Sequence, residues 1–302
     1  MTIADDLGRL IRTHDDEPDA AADELRTLAE KALPADQLGR FSWLVAHVIG
    51  ERCNRWPEAC ELIAKATSGH ASPAMPVLLN AAVCAHLAGD LLAGLAWERR
   101  MAQQGMRAEQ AAVAVRAAAL SFMLTRASAP AVAAGLRTVI DSIERWDDAS
   151  AADALAGASL NNVVSALIEQ DDEIVGLAEV RGAMVEGAAV ARKRWQRAGT
   201  WVNRERADYL CALVFNRVGD HAKALDAAER GRQLIESSGS EDVDRAFLLL
   251  ESAQALYGLS RHAEGAEHLS QAENLAQAWD DVSLKQWFDG KARPVRHLAG
   301  SR

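Results

Sequence analysis

His47 and Glu51, four residues apart in "HVIGERC", are the best-spaced pair for chemistry in this 302-residue chain. On a helix an i, i+4 spacing places both side chains on one face, so the carboxylate could orient the imidazole or share a metal with it. No third ligand follows at a local spacing, and no H-E-x-x-H is present. Cys84 and His86 are two residues apart and diverge on a helix; His262 and His268 are six apart and also face differently. A glycine-rich phosphate loop, a G-x-S-x-G elbow and a dinucleotide fingerprint are all missing from the sequence. The expectation is therefore a protein with no catalytic residue, no metal and no cofactor. The stretch "ARKRWQRAGTWVNRER" interleaves Arg192, Lys193, Arg194, Arg197, Arg204 and Arg206 with Trp195 and Trp201. Such a pattern can hold phosphates and stacked bases. The simpler reading, and the one expected, is that the basic groups meet free helix carbonyls while the indoles fill a helix junction.

These residues must be carried by helices. Ala and Leu dominate, aromatic residues are 5% and Pro occurs seven times, so segments with strand composition are nearly missing. The net charge of −10 argues against nucleic acid or an anionic membrane as a whole-surface partner. The four cysteines, Cys53, Cys60, Cys84 and Cys211, lack C-x-x-C spacing and sit in apolar helical patterns, as buried free thiols do. The first residues, "MTIADDLGRL", are acidic where a secretory signal is basic, and no apolar run reaches the length of a spanning helix. A cytoplasmic location is expected.

The helices repeat. "GDHAKAL" at 219–225 returns forty-one residues later as "SRHAEGA" at 260–266: a breaker, a polar residue, His and Ala opening a helix twice. Turns of the same kind fall at Asp16, Asn54, Gly89, Ser128, Asp171, Gly219 and Ser260, a mean step of about 41 residues. Pro18, Pro57 and Pro130 follow three of them and mark first turns of helices, where proline costs no hydrogen bond. Five residues after each turn stands a small residue: Ala21, Ala59, Gly94, Ala133, Gly176, Ala224 and Gly265. Close helix approach is expected there. The second helices end alike, with "IERWDD" at Trp146 and "AQAWDD" at Trp279.

The segment "FNRVGDHAKALDAAERG", with Gly219 and Ala222 at the turn and Gly231 twelve residues beyond it, resembles the tetratricopeptide-repeat family. The units are longer than that family's usual 34 residues, and its Trp-Leu-Gly-Tyr signature is not reproduced. The resemblance implies an all-α fold, an α-solenoid of about seven antiparallel helix-turn-helix units in a right-handed superhelix. It also implies that first helices line a concave surface on which ligands bind. Reading that face before each turn selects His47 and Glu51, His86, Thr125, Asn161 and Ser165, then Arg206, Tyr209 and Asn216, and finally Gln254 and Tyr257. Such a face is either a solvated surface or a groove. Asn161 stands mid-helix, where Asn competes with the backbone for hydrogen bonds, and a groove with converging polar groups would offset that cost.

The expected organisation is a solenoid over 1–283 and a capping helix with a mobile tail over 284–302, mobile beyond Pro294. The expected function is non-catalytic: binding of a peptide or partner-protein segment in the concave groove. The alternative is an enclosed groove acting as a small-molecule sensor or unusual enzyme.

Overall fold

Four of the seven expected turns bend through left-handed backbone: Asn54 (φ 53°), Gly89 (φ 77°), Gly219 (φ 80°) and Ser260 (φ 62°). Glycine has no Cβ to clash in this region, which is why it stands at two of them. The Asp after each glycine starts the next helix. Asp90 accepts from the Ala93 N–H at 3.0 Å and Asp220 from the Lys223 N–H at 3.4 Å, satisfying donors that have no intrahelical acceptor. "Gly-Asp" is thus a stop and a start in two residues. Ser128 and Asp171 are N-cap residues, and Asp16 lies in the turn before Pro18.

The computed structural model describes residues 2–146 and 149–300, which are helices and their connections with no strand among them. Asp147 and Asp148 of "IERWDD", and Ser301 and Arg302 of the tail, lie outside the described residues. No described helix is long and apolar enough to cross a membrane.

The chain divides into two compact units, the first comprising Met1–Ala127 and Ser150–Leu155, the second Ser128–Ala149 and Ala156–Arg302. The first unit carries α1 (Ile3–Thr13), α2 (Pro18–Ala29), α3 (Leu38–Leu44), α4 (Trp56–Thr67), α5 (Met75–Ala88), α6 (Leu91–Gln103) and α7 (Ala108–Met123). A π-helical segment, Val45–Arg52, continues α3. Helix α5 is the hub, packed against α3, α4, α6 and α7, with Phe41, Leu44, Ile63, Leu78 and Met101 buried in the core.

The second unit carries α8 (Ala129–Glu144), most of α9 (Ala152–Ile168), α10 (Asp172–Val175), α11 (Ala178–Ala198) and α12 (Trp201–Arg217). It continues through α13 (His221–Ser238), α14 (Asp242–Gly258), α15 (His262–Gln277) and α16 (Val282–Gly300). Helices α12 and α14 flank α13 and also touch each other; α15 lies against α14, and α16 packs on both α14 and α15.

Sixteen α-helices among the described residues, against the fourteen expected, have local causes. After Asp171 one helical turn forms and stops at Gly176, whose N–H bonds the Asp172 carbonyl at 2.8 Å, so the long second helix opens only at Ala178. Gly176 is accordingly exposed, unlike the six other small positions, which are buried. Close approach occurs further along, at Gly187, where a Cβ would stand 2.6 Å from Val164 Cγ2. Gly94, by contrast, is buried yet has no heavy atom within 4 Å of a built Cβ, so this small position is not a tight contact. The C-terminal segment also differs from expectation. Helix α16 runs through Pro294 to Gly300, because Phe288, Ala292 and Val295 form one buried stripe that holds it against its neighbours.

Candidate functional site

Within the second unit, α12 and α14 place their polar groups next to one another. The Asn216 amide donates to the backbone oxygen and to Oε2 of Glu251, each at 2.9 Å, and its Oδ1 stands 3.2 Å from Nδ1 of His221. One side chain therefore ties α12, α14 and the start of α13, and it is only 6% exposed. Asn216 is an interior tie. Glu251 lies in "LLLESAQAL", a carboxyl among apolar residues; burial pushes it up to about 7, opposed by the Asn216 hydrogen bond and the Lys291 charge.

Tyr209 lies about two turns before Asn216 on the same face of α12, its ring 6.2 Å from that of Phe247. Burial raises its phenol well above the ordinary range, and the charges of Glu251, Asp244 and Glu169 add to this. Arg206 Nε bonds Asp244 at 2.9 Å and stands 3.6 Å from Glu205. Glu205 is fully buried; burial, then a hydrogen bond with the adjacent Asp244, pushes it up to about 9. Lys291 of α16 meets Glu169 just after α9 at 2.7 Å. The charges of Glu251, Asp244 and Glu169 thus act on Tyr209, with Arg206 paired to Asp244 and Lys291 to Glu169.

The remaining expected positions are distributed differently. Asn161 and Ser165 are half-buried on α9, and Gln254 is half-buried on α14. Tyr257 is in the core, against Gly265, where an added Cβ would stand 2.9 Å from its ring, and 5.9 Å from the His262 ring; it packs the α14–α15 pair. His86 and Thr125 are exposed in the first unit, the Thr125 hydroxyl donating to the Phe122 carbonyl at 3.0 Å. His47 and Glu51, also in the first unit, are joined by a 2.6 Å hydrogen bond from Nδ1 to the carboxylate. The eleven residues therefore fall on two units, with His47 and Glu51 bonded to each other in the first and Arg206, Tyr209 and Asn216 carried by one helix, α12, in the second.

Glu205, Asp244, Glu251, Glu169 and Lys291 were not selected from the sequence. Glu251, isolated in an apolar run, carried a readable signal; Lys291 and Glu169 are 122 residues apart and carried none. The basic stretch is used internally. Arg194 is buried, donates to the Ile143 carbonyl at 2.7 Å and lies 5.6 Å over the Trp146 ring, and Arg197 donates to the Trp146 carbonyl at 3.2 Å, so both serve the end of α8. Arg192 and Arg230 share Asp208 at 2.6 and 3.0 Å. The thiols are free: Cys84 and Cys211 are buried, Cys53 and Cys60 partly so. Burial pushes Cys211 up to about 12, which removes it from thiolate chemistry near neutrality. Concavities of about 370 Å³ between α15 and α16 and about 400 Å³ beside Arg192, Arg204 and Arg230 lie apart from Tyr209.

Compared with known proteins, the chain matches no family model, and no curated protein matches its sequence.

Proposed function

We propose that this chain is a non-catalytic, tetratricopeptide-like α-solenoid that binds a peptide or partner-protein segment along the first-helix face of its second unit, formed by α9, α12 and α14. The carrying observation is the carboxyl-rich group around Tyr209: Glu169, Asp244 and Glu251 near one phenol, with Arg206 and Lys291 at hand. Asp244 and Glu169, the members of this group that reach solvent, suit a segment that brings its own donors, namely backbone N–H groups and cationic side chains. The direct packing of α12 on α14, with α13 and α15 paired to them, supports the solenoid reading, because first helices of successive units then lie side by side.

The test is a titration of the full chain with fluorescent peptides selected from a random display library. Tyr209→Phe and Gln254→Ala are expected to fold normally and to weaken binding by about 1–3 kcal/mol for each buried hydrogen bond left unpaired. Undiminished affinity in both variants would remove the site from this face.

A further inference from the structure

The expectation of no metal rested on His47 and Glu51 having no third partner nearby in sequence; the fold supplies partners from the other side of the first turn. His14 closes α1, and its Nδ1 lies 2.9 Å from the Leu10 carbonyl oxygen. A carbonyl can only accept, so Nδ1 carries the proton and Nε2 is left with its lone pair. His47 is arranged the same way, its Nδ1 directed at the Glu51 carboxylate at 2.6 Å. Both Nε2 atoms then face one oxygen. Asp15 Oδ1 is 3.8 Å from Nε2 of His14 and 3.9 Å from Nε2 of His47, and the three ligand atoms lie within 4.8 Å of one another.

Those separations are too long for direct hydrogen bonds and close to what three ligands of one ion require. Zinc-class ions sit about 2.0–2.2 Å from imidazole nitrogen and carboxylate oxygen, which puts tetrahedral ligands roughly 3.3–3.6 Å apart, so the Asp15 oxygen must close by about half an ångström on each imidazole. Asp15 can supply that movement once Arg52 releases its Oδ1, since its side chain is 61% exposed. The imidazoles are the fixed part: His14 is buried, the two rings stand 5.0 Å apart near a right angle, and Trp43 stacks on His47 at 5.3 Å. Each imidazole also has the outer hydrogen bond that metal-binding histidines use to hold tautomer and orientation. His47 and Glu51 lie in the π-helical segment, a helix irregularity that recurs at functional sites.

We propose that His14, Asp15 and His47 bind a divalent first-row transition ion of the zinc class through two imidazole Nε2 atoms and one carboxylate oxygen, leaving an open position for water. Two nitrogens and one oxygen favour zinc, cobalt or nickel over calcium or magnesium, which take all-oxygen sets. Arg52 is the native competitor, its Nη2 2.5 Å from the same Asp15 oxygen. An arriving ion displaces that guanidinium from Oδ1. The site lies in the first unit and does not depend on the peptide face of the second.

The experiment uses the full chain, stripped with a chelator and titrated with Zn²⁺ by calorimetry and with Co²⁺ by visible absorption. Trp43 fluorescence is followed in parallel with Co²⁺; because the chain has eight tryptophans, the Trp43→Phe variant isolates its signal. One equivalent is expected to bind. His47→Ala and Asp15→Ala should each weaken it at least tenfold, and Arg52→Ala should bind as tightly as the parent or more so. Asp15 is an exposed turn residue, so Asp15→Ala decides the matter even if His47→Ala does not fold. No stoichiometric uptake, or an affinity that Asp15→Ala leaves unchanged, would overturn the proposal.

Discussion

Glu205 and Glu251 are the residues at which burial and charge conflict most. Their folded-state pKa values, about 9 and about 7, stand above the ordinary glutamate value of 4.5, so the native chain keeps protons that the unfolded chain releases. Their contribution to stability is fully present below about pH 4.5 and is lost as pH rises, through about 7 for Glu251 and about 9 for Glu205. The melting temperature should therefore fall between pH 6 and pH 8.5, and Glu205→Gln should flatten that fall; an unchanged slope in the variant would show that Glu205 is ionised in the fold. Asn216→Ala should cost about 1–3 kcal/mol in chemical denaturation, since it strips donors from Glu251 in the interior. A neutral result would return Asn216 to a surface role. At this scale the sequence was half-legible. Asn216 was visible as a polar residue inside a helix, but the same offset from a turn serves a groove and a helix-helix tie equally well. His14 was not visible as a partner of His47, because only the packing of α1 near the π-helical segment brings them together.

At the scale of elements, the turns were the readable part, for a physical reason: left-handed backbone favours glycine, and a helix start favours Asp. Helix ends without such chemistry were misjudged. Asp171 opens a single turn before the real second helix, and Pro294 failed to end α16 because a buried stripe continues on both sides of it. The π-helical segment was out of reach, since spacing arguments assume 3.6 residues per turn. Small residues need the same discrimination. Gly231 faces Leu248, whose methyls would lie 2.9 and 3.0 Å from a new Cβ, so Gly231→Ala should destabilise by about 1–3 kcal/mol. Gly94→Ala meets nothing within 4 Å and should gain up to about 1 kcal/mol from helix propensity alone. Thermal melts of the two variants should move in opposite directions; shifts of the same sign would contradict the packing assigned to one of them.

At the scale of the molecule, an acidic all-helical chain divides into two units, each with a polar feature of its own: a histidine-carboxylate cluster in the first and the carboxyl-rich face around Tyr209 in the second. Composition made the helical class legible, because strand-forming residues are scarce. Which polar side chains converge was not legible, because convergence depends on which helices pack as neighbours. The central claim, a segment bound along α9, α12 and α14, is tested most directly by amide hydrogen exchange of the full chain with and without a display-selected peptide. New protection is expected in α12 and α14, at 201–217 and 242–258, with α13 and α15 unchanged. Protection confined to α13 and α15, or to the first unit, would contradict it.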